Sequence, residues 1–340
     1  MKKFLAVIAS LMLAVTLFAF AGCGDSSDTG VIKGDYKEPT DEQLDAALEN
    51  VNLGSVAAVK GFELKLDADV DILGWQANPE SGVWEKGEAT IDGSVNMQLV
   101  EETTGLKGAA DAEIKVKAAS PNEPDKSVDT TFKADGYVDG MMAYGKVSGV
   151  PGLEGEMKAK VDLNEVLKLA GGIIPTAVEA APSIPGNLTD LNGLITMLKT
   201  EYKVNVGLDT KDGTKIKLSI TEDSVWAALE EFAGDKLPAE QLAVLKQSIK
   251  FNAFDCALYL HFDKDGNFVQ AGINVNIDLE MPMDDSHTDK LTCVVGLSLK
   301  AYDGKVSVPS DLATDTSYTD MTEAIKNIGG NKDEYYPSYN

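Results

Sequence analysis

From Phe62 to Ile72 every second residue is apolar and every residue between is charged. Phe62, Leu64, Leu66, Ala68, Val70 and Ile72 alternate with Glu63, Lys65, Asp67, Asp69 and Asp71. Wound into a helix, these charges would fall on all sides; drawn out as a strand, they share one wet face opposite one apolar face. The same period returns along the chain. Ala89, Ile91, Val95, Met97 and Leu99 carry a second strand, and Ala112, Ile114, Val116 and Ala118 a third. Residues 128–147 read as two shorter strands about Asp139-Gly140, and 157–163 as another. Later, 203–209 and 214–220 flank Lys211-Asp212-Gly213 as a hairpin, and three long runs follow at 251–262, 268–281 and 291–302. One-sided alternation sustained over so many residues is the signature of antiparallel sheet.

Helical spacing appears between these runs. Thr40 and Gln43 form a capping box ahead of Leu44, Ala47, Leu48 and Val51. Residues 164–170 read as a helix stopped by Gly171-Gly172, and Leu191, Leu194, Ile195 and Leu198 mark a short amphipathic one. A further helix over 221–233 carries Val225, Trp226, Leu229 and Phe232 and ends at Gly234; Pro238 opens the last, with Leu242, Leu245 and Ile249. Pro175, Pro182 and Pro185 exclude a regular helix over 173–188, although Ile173, Ile174, Val178 and Ile184 make that stretch apolar for a loop. No linker interrupts 40–310. The expectation is therefore one α+β domain over 40–310, a long antiparallel curved sheet packed against a few amphipathic helices. A flexible tether over 23–39 is expected before it, and a polar tail over 311–340 with a weak helix near Met321 after it.

The N-terminus reads as an address. Lys2 and Lys3 precede an apolar run from Phe4 to Ala21, marginal in length for a membrane span and followed by small residues, as in a secretory signal. Phe20-Ala21-Gly22-Cys23 resembles the lipobox of bacterial lipoproteins, departing from it at Phe20, where Leu is commoner. The resemblance implies removal of 1–22 and a diacylglyceryl group on Cys23. The protein would then be lipid-anchored in a cell membrane and face its extracytoplasmic side. Charge narrows the partners. The chain has 55 acidic residues against 30 basic ones, all of them Lys, for a net charge of −25. That balance argues against nucleic acid, whose affinity comes from basic neutralisation of phosphates, and leaves no guanidinium fork for anions.

A lipobox, a tether, long two-period strands and a few inserted helices together resemble the LolA/LppX-like lipid-carrier lipoproteins. Lys217-Leu-Ser-Ile-Thr-Glu-Asp-Ser-Val-Trp226 and Asp265-Gly-Asn-Phe-Val269 sit within that order. The resemblance covers about residues 40–310. It implies a half-barrel whose concave face and helices enclose an apolar cavity for lipid, with no catalytic residue and no cofactor. The expected cavity or lid residues are Val166, Leu167, Ile173, Ile174, Ile184, Leu194, Met197, Trp226 and Leu229. The expected partners are the membrane, a lipid ligand and an envelope protein. A rival reading is a surface-displayed module with a packed core, binding protein or glycan through a sheet edge or through Trp75 and Trp84.

Other chemistry-bearing residues read blandly. Cys256 and Cys293 fall on the first and third strands of a meander, about 9–10 Å apart and beyond the roughly 7 Å that a disulfide bridges, so both are expected to be buried free thiols. Asp263-Lys264-Asp265-Gly266-Asn267 lacks the spacing of a calcium loop and suits a hairpin turn. The cluster 284–289 is read as solvated charge rather than a metal site. His261 shares the polar face with Asp255 and Tyr259, opposite Cys256, so no nucleophile–base pair is expected.

Overall fold

In the computed structural model the described residues are 28–78, 81–103, 105–119, 127–150, 152, 155–166, 191–233, 239–284 and 286–324. The alternating runs become strands β1 (Gly61–Ala77), β2 (Trp84–Glu102), β3 (Gly105–Ala119), β4 (Val128–Asp139), β5 (Met142–Ser148) and β6 (Met157–Asp162). They continue as β7 (Asn205–Asp209), β8 (Thr214–Ile220), β9 (Lys250–Phe262), β10 (Phe268–Pro282), β11 (Thr288–Ala301) and the short β12 (Thr319–Asp320). The helices are α1 (Asp41–Leu48), α2 (Gly54–Ala58), α3 (Leu191–Thr200), α4 (Glu222–Ala233) and α5 (Ala239–Ser248).

All twelve strands join one long, curved, open sheet in the order β12-β6-β5-β4-β3-β2-β1-β11-β10-β9-β8-β7. Two meanders, β1 to β6 and β7 to β11, meet where β1 pairs antiparallel with β11, Leu66 opposite Leu297. Every other pairing is antiparallel except β12 on β6, which makes the sheet mixed. Registers keep one parity throughout β1 to β5: Val70 lies opposite Ile91, Ile91 opposite Val116, Ile114 opposite Phe132, and Ala134 opposite Val147. A one-residue slip anywhere would carry a strand's apolar set to the charged face, which is why this pattern fixes the register.

The core lies on the apolar face beneath the helices. Phe62, Leu64, Leu66, Phe262, Phe268, Val295, Leu297 and Leu299 form its largest cluster, with Val51, Leu53, Val56 and Val59 from the α1–α2 region packed on it. A second cluster joins Leu44 of α1 and Ile195 of α3 to Val206, Ile216 and Leu218 of β7 and β8. The capping box forms as expected: Gln43 donates its backbone N–H to the Thr40 hydroxyl, and Thr40 N–H donates to Gln43 Oε1 at 3.0 Å.

Two expectations about the termini are corrected. The expected free tether over 23–39 is docked from Asp28 onward. Ile32 is buried against Ala257 and Tyr259, Tyr36 OH donates to Ile32 O at 2.7 Å, and Lys37 and Leu208 exchange both backbone hydrogen bonds. The strap lies on the charged face because glycines leave room for it: a Cβ at Gly272 would collide with Gly30 O, and one at Gly296 with Thr29 O. Gly30 itself has φ +85°, in the left-handed region, and a Cβ there would collide with Ile273 O and Leu297 O. The expected tail over 311–340 is likewise docked at its start. Leu312 and Tyr318 are buried with Tyr144 of β5, and Thr319–Asp320 extends the sheet as β12. The alternation test missed both straps, since each is a short irregular segment held by a few anchors.

Candidate functional site

The sheet's apolar face is the broadest candidate surface. Inward positions over 62–72 of β1, 89–99 of β2, 108–118 of β3, 128–138 of β4 and 143–147 of β5 carry no charged side chain. Near β1 and β11 these residues are buried: Phe62 and Leu64 are 2% exposed. Toward β4 they open. Ile91, Val95, Ile114, Val116, Phe132 and Val147 are half-buried, and Val128 is 37% exposed. Gly93, Gly108, Ala110, Ala112 and Ala134 lie between them, so large side chains stand around a low apolar floor. Such a surface can hold hydrocarbon and offers no group to grip an ion.

At one end of the sheet the β1–β2 and β10–β11 turns meet over His287. Trp84 stacks on its ring at 4.7 Å and 22°, while Trp75 meets it edge-on at 4.8 Å. Asp284 accepts from His287 Nδ1 at 2.8 Å and from the Ser286 and His287 backbone N–H groups; these bonds hold its carboxyl below the usual range. Asp289 Oδ1 accepts the Trp75 backbone N–H at 2.8 Å. One face of Trp84, which the rival reading offers to a glycan, is therefore already covered by an imidazole. Nearby, Glu280 is bridged by Lys290 at 2.7 Å and Lys250 at 3.2 Å, and hydrogen bonds from these two ammonium groups hold its carboxyl at about 2.

A cleft of about 760 Å³ lies beside the strap and is lined by Lys37, Glu38, Gln43, Asn50, Asp263 and Lys264 among others. Its lining is mixed in sign and open to water. Asp263 folds back on its own turn, accepting the N–H groups of Asp265 and Asn267, which keeps its carboxyl low and fits the hairpin expected there. Cys256 is a buried free thiol pushed up to about 11 by burial and is not joined to Cys293; Cys293 is itself disulfide-bonded, which corrects the expectation that both are free thiols. Among the described residues no group of three or more His, Cys, Asp or Glu could hold a metal. No described helix is long and apolar enough to cross a membrane.

The expected cavity residues are partly placed. Leu194 and Met197 are half-buried on α3, whose Ile195 packs toward β7 and β8. Trp226 is buried on α4, donates to Glu222 Oε1 at 3.1 Å and packs against Phe251 and under Lys246. Val166 is half-buried in a helical turn over 163–166, and Leu229 falls within α4. Leu167, Ile173, Ile174, Ile184 and Cys23 lie outside the described residues. The residues the sequence reading passed over are those of β2 to β5. Their alternation marks antiparallel strands with one wet face, but not which part of the apolar face stays open. The signal available was how small the side chains at 108, 110, 112 and 134 are.

No family model matches the chain, and no curated protein does. A solved structure, an N-terminal dehydratase from the difficidin assembly line, covers 83% of this chain and 90% of its own at 10% identity, with a TM-score of 0.09. That likeness is too slight to bear on fold or chemistry.

Proposed function

We propose that the protein is an exported, non-enzymatic lipoprotein, anchored through lipid on Cys23, that binds an apolar ligand, a lipid, on the uncharged face of its sheet. The carrying observation is that face, unbroken by charge from β1 to β5 and only half-buried at Ile91, Val95, Ile114, Val116, Phe132 and Val147. Its mechanism is burial. Each CH₂ moved from water to apolar surface contributes about 0.8 kcal/mol, and the headgroup stays in solvent because nothing on the face pairs with it. The finer architecture, a half-barrel closed by α3 and α4 in the manner of the LolA/LppX-like carriers, belongs to the same reading.

Native mass spectrometry on residues 24–340, purified gently from a bacterial host, tests it. A reproducible added mass that extracts into organic solvent supports the reading. A clean apo mass with no uptake from phosphatidylcholine vesicles moves the assignment to an interaction module with a packed core. Ile114→Asp and Phe132→Asp place charge on the open floor and should each abolish uptake while Lys115→Asp, on the opposite face, leaves it intact.

A further inference from the structure

The apolar face of the sheet is covered at one end and open at the other. Where β1 begins, Val51, Leu53, Val56 and Val59 pack over the cluster of Phe62, Phe262 and Phe268. Toward the end of β1 the registers set Val128 of β4, Ala89 of β2, Ile72, Leu291 of β11 and Phe251 of β9 in one row. Ile72 is 44% exposed there, although Val70, one inward position earlier, is buried. Past this row Met281 is exposed, and Val83 and Met283 stand out at the β1–β2 and β10–β11 turns, 59% and 53% exposed. Main-chain bonds close both turns. Asn78 N–H donates to Val83 O, and Met283 N–H donates to His287 O, each at 2.8 Å. Trp75 and Trp84 lie half-buried at the same end. Single exposed apolar residues need no account, but these gather where the open floor meets solvent.

Resting on the lipid-binding reading above, we propose that this end of the sheet docks on a zwitterionic phospholipid bilayer and that lipid passes from it over Ile72 and Val128 onto the floor. Val83, Met281 and Met283 form the rim that enters the bilayer surface. Continuity is one support, since the rim runs into the uncharged face without a charged side chain between Ile72 and Val128 along their row. Charge is the other. Beside the rim Lys86 pairs with Glu88, Lys117 with Asp129 at 3.4 Å, and Lys250 and Lys290 flank Glu280. These pairs present both signs, as a phosphocholine headgroup does. The chain's net charge of −25 repels an anionic surface instead. Trp75 and Trp84 suit the same boundary, where an indole keeps its apolar body toward the acyl chains and its N–H toward water.

Tryptophan emission of the full chain in phosphatidylcholine vesicles, with and without bromine on the acyl chains, tests the contact. Docking brings Trp75 and Trp84 near the bromines, so emission should fall in the brominated vesicles. Val83→Asp combined with Met283→Asp puts charge on the rim and should abolish that loss. Met141→Asp, at the β4–β5 turn of the opposite end and also exposed, should leave it unchanged. Phe132→Asp separates docking from a brominated lipid carried on the floor: it removes uptake, and the loss of emission should persist. Unquenched emission in the parent chain, quenching that survives the rim variant, or quenching that disappears in Phe132→Asp each overturns the docking. Native mass spectrometry reads lipid binding separately. Bound lipid without quenching leaves the lipid-binding reading standing and strikes the docking. Quenching with a clean apo mass supports the docking and strikes the lipid ligand.

Discussion

The two halves of the sheet are built from the same alternating code and come out differently. Around β1 and β7 to β11 the apolar face is covered by α1, α2 and α3, and Phe62, Phe262, Ile195, Ile216 and Val295 are almost wholly buried. The charged face of that half is crossed by the N-terminal strap on its glycine floor. Over β2 to β5 the apolar side chains are smaller and half-buried, and the C-terminal strap holds the charged face through Tyr144, Leu312 and Tyr318. Burial of apolar area is what stabilises a fold. The first half therefore carries the stability, and the second leaves apolar surface available for a ligand.

Matched truncations break this comparison most directly. Phe62→Ala should cost about 3–5 kcal/mol, the range for emptying a fully buried aromatic site. Phe132→Ala removes the same atoms from a half-buried position and should cost about 1–2 kcal/mol, because much of that ring already meets solvent or ligand. Urea unfolding of both variants measures the difference. Equal losses would mean that β2 to β5 form a closed core, leaving no room for the proposed ligand.

The N-terminal strap sharpens the comparison at a smaller scale. Gly296→Ala puts a methyl where Thr29 O now lies, and Gly272→Ala does the same to Gly30 O. Overpacking of this kind costs about 1–3 kcal/mol. The expected result is loss of hydrogen-exchange protection over 28–37, with the β1–β11 core still protected. Unchanged protection in the strap would show that Ile32 and Tyr36 hold it without the glycine floor.

Most of the sheet was legible in the sequence, because a period of two with charge on one face leaves each strand a single way to lie. The capping box at Thr40, the hairpin over 211–213 and the turn at Asp263 were legible for the same kind of reason, a local rule that names its own residues. What escaped notice has no period. Residues 28–37 read as a polar tether, since Ile32, Tyr36 and Lys37 are single anchors whose partners, Ala257 and Tyr259 for the first two and Leu208 for the last, stand far along the chain. The Trp75–His287–Trp84 stack was hidden likewise, with two rings at one turn and the third more than two hundred residues away. Strand order was the other gap. Alternation says that Phe62–Ile72 is a strand, but not that β11 is its neighbour.

The smallest effect concerns Asp209, which pins the strap to β7. Its carboxylate accepts the Asp35 and Lys211 backbone N–H groups at 3.0 Å each and lies 3.7 Å from Lys215 Nζ; the hydrogen bond from Lys211 does most to hold it below its usual value. A carboxyl whose folded value is depressed contributes stability that is fully present above its unfolded value, near 3.8, and is lost as pH falls through the lower folded one. Strap protection over 28–37 should thus stay flat from neutral pH down to about 5 and drop below about 4. Asp209→Asn keeps an oxygen acceptor but removes the charge. It should weaken protection slightly at neutral pH, by about 1 kcal/mol, and leave the strap less sensitive to acid than in the parent chain. Hydrogen exchange at pH 7 and at about pH 3 on both proteins gives the comparison. An acid response identical in the variant would locate the titrating pin elsewhere on the strap.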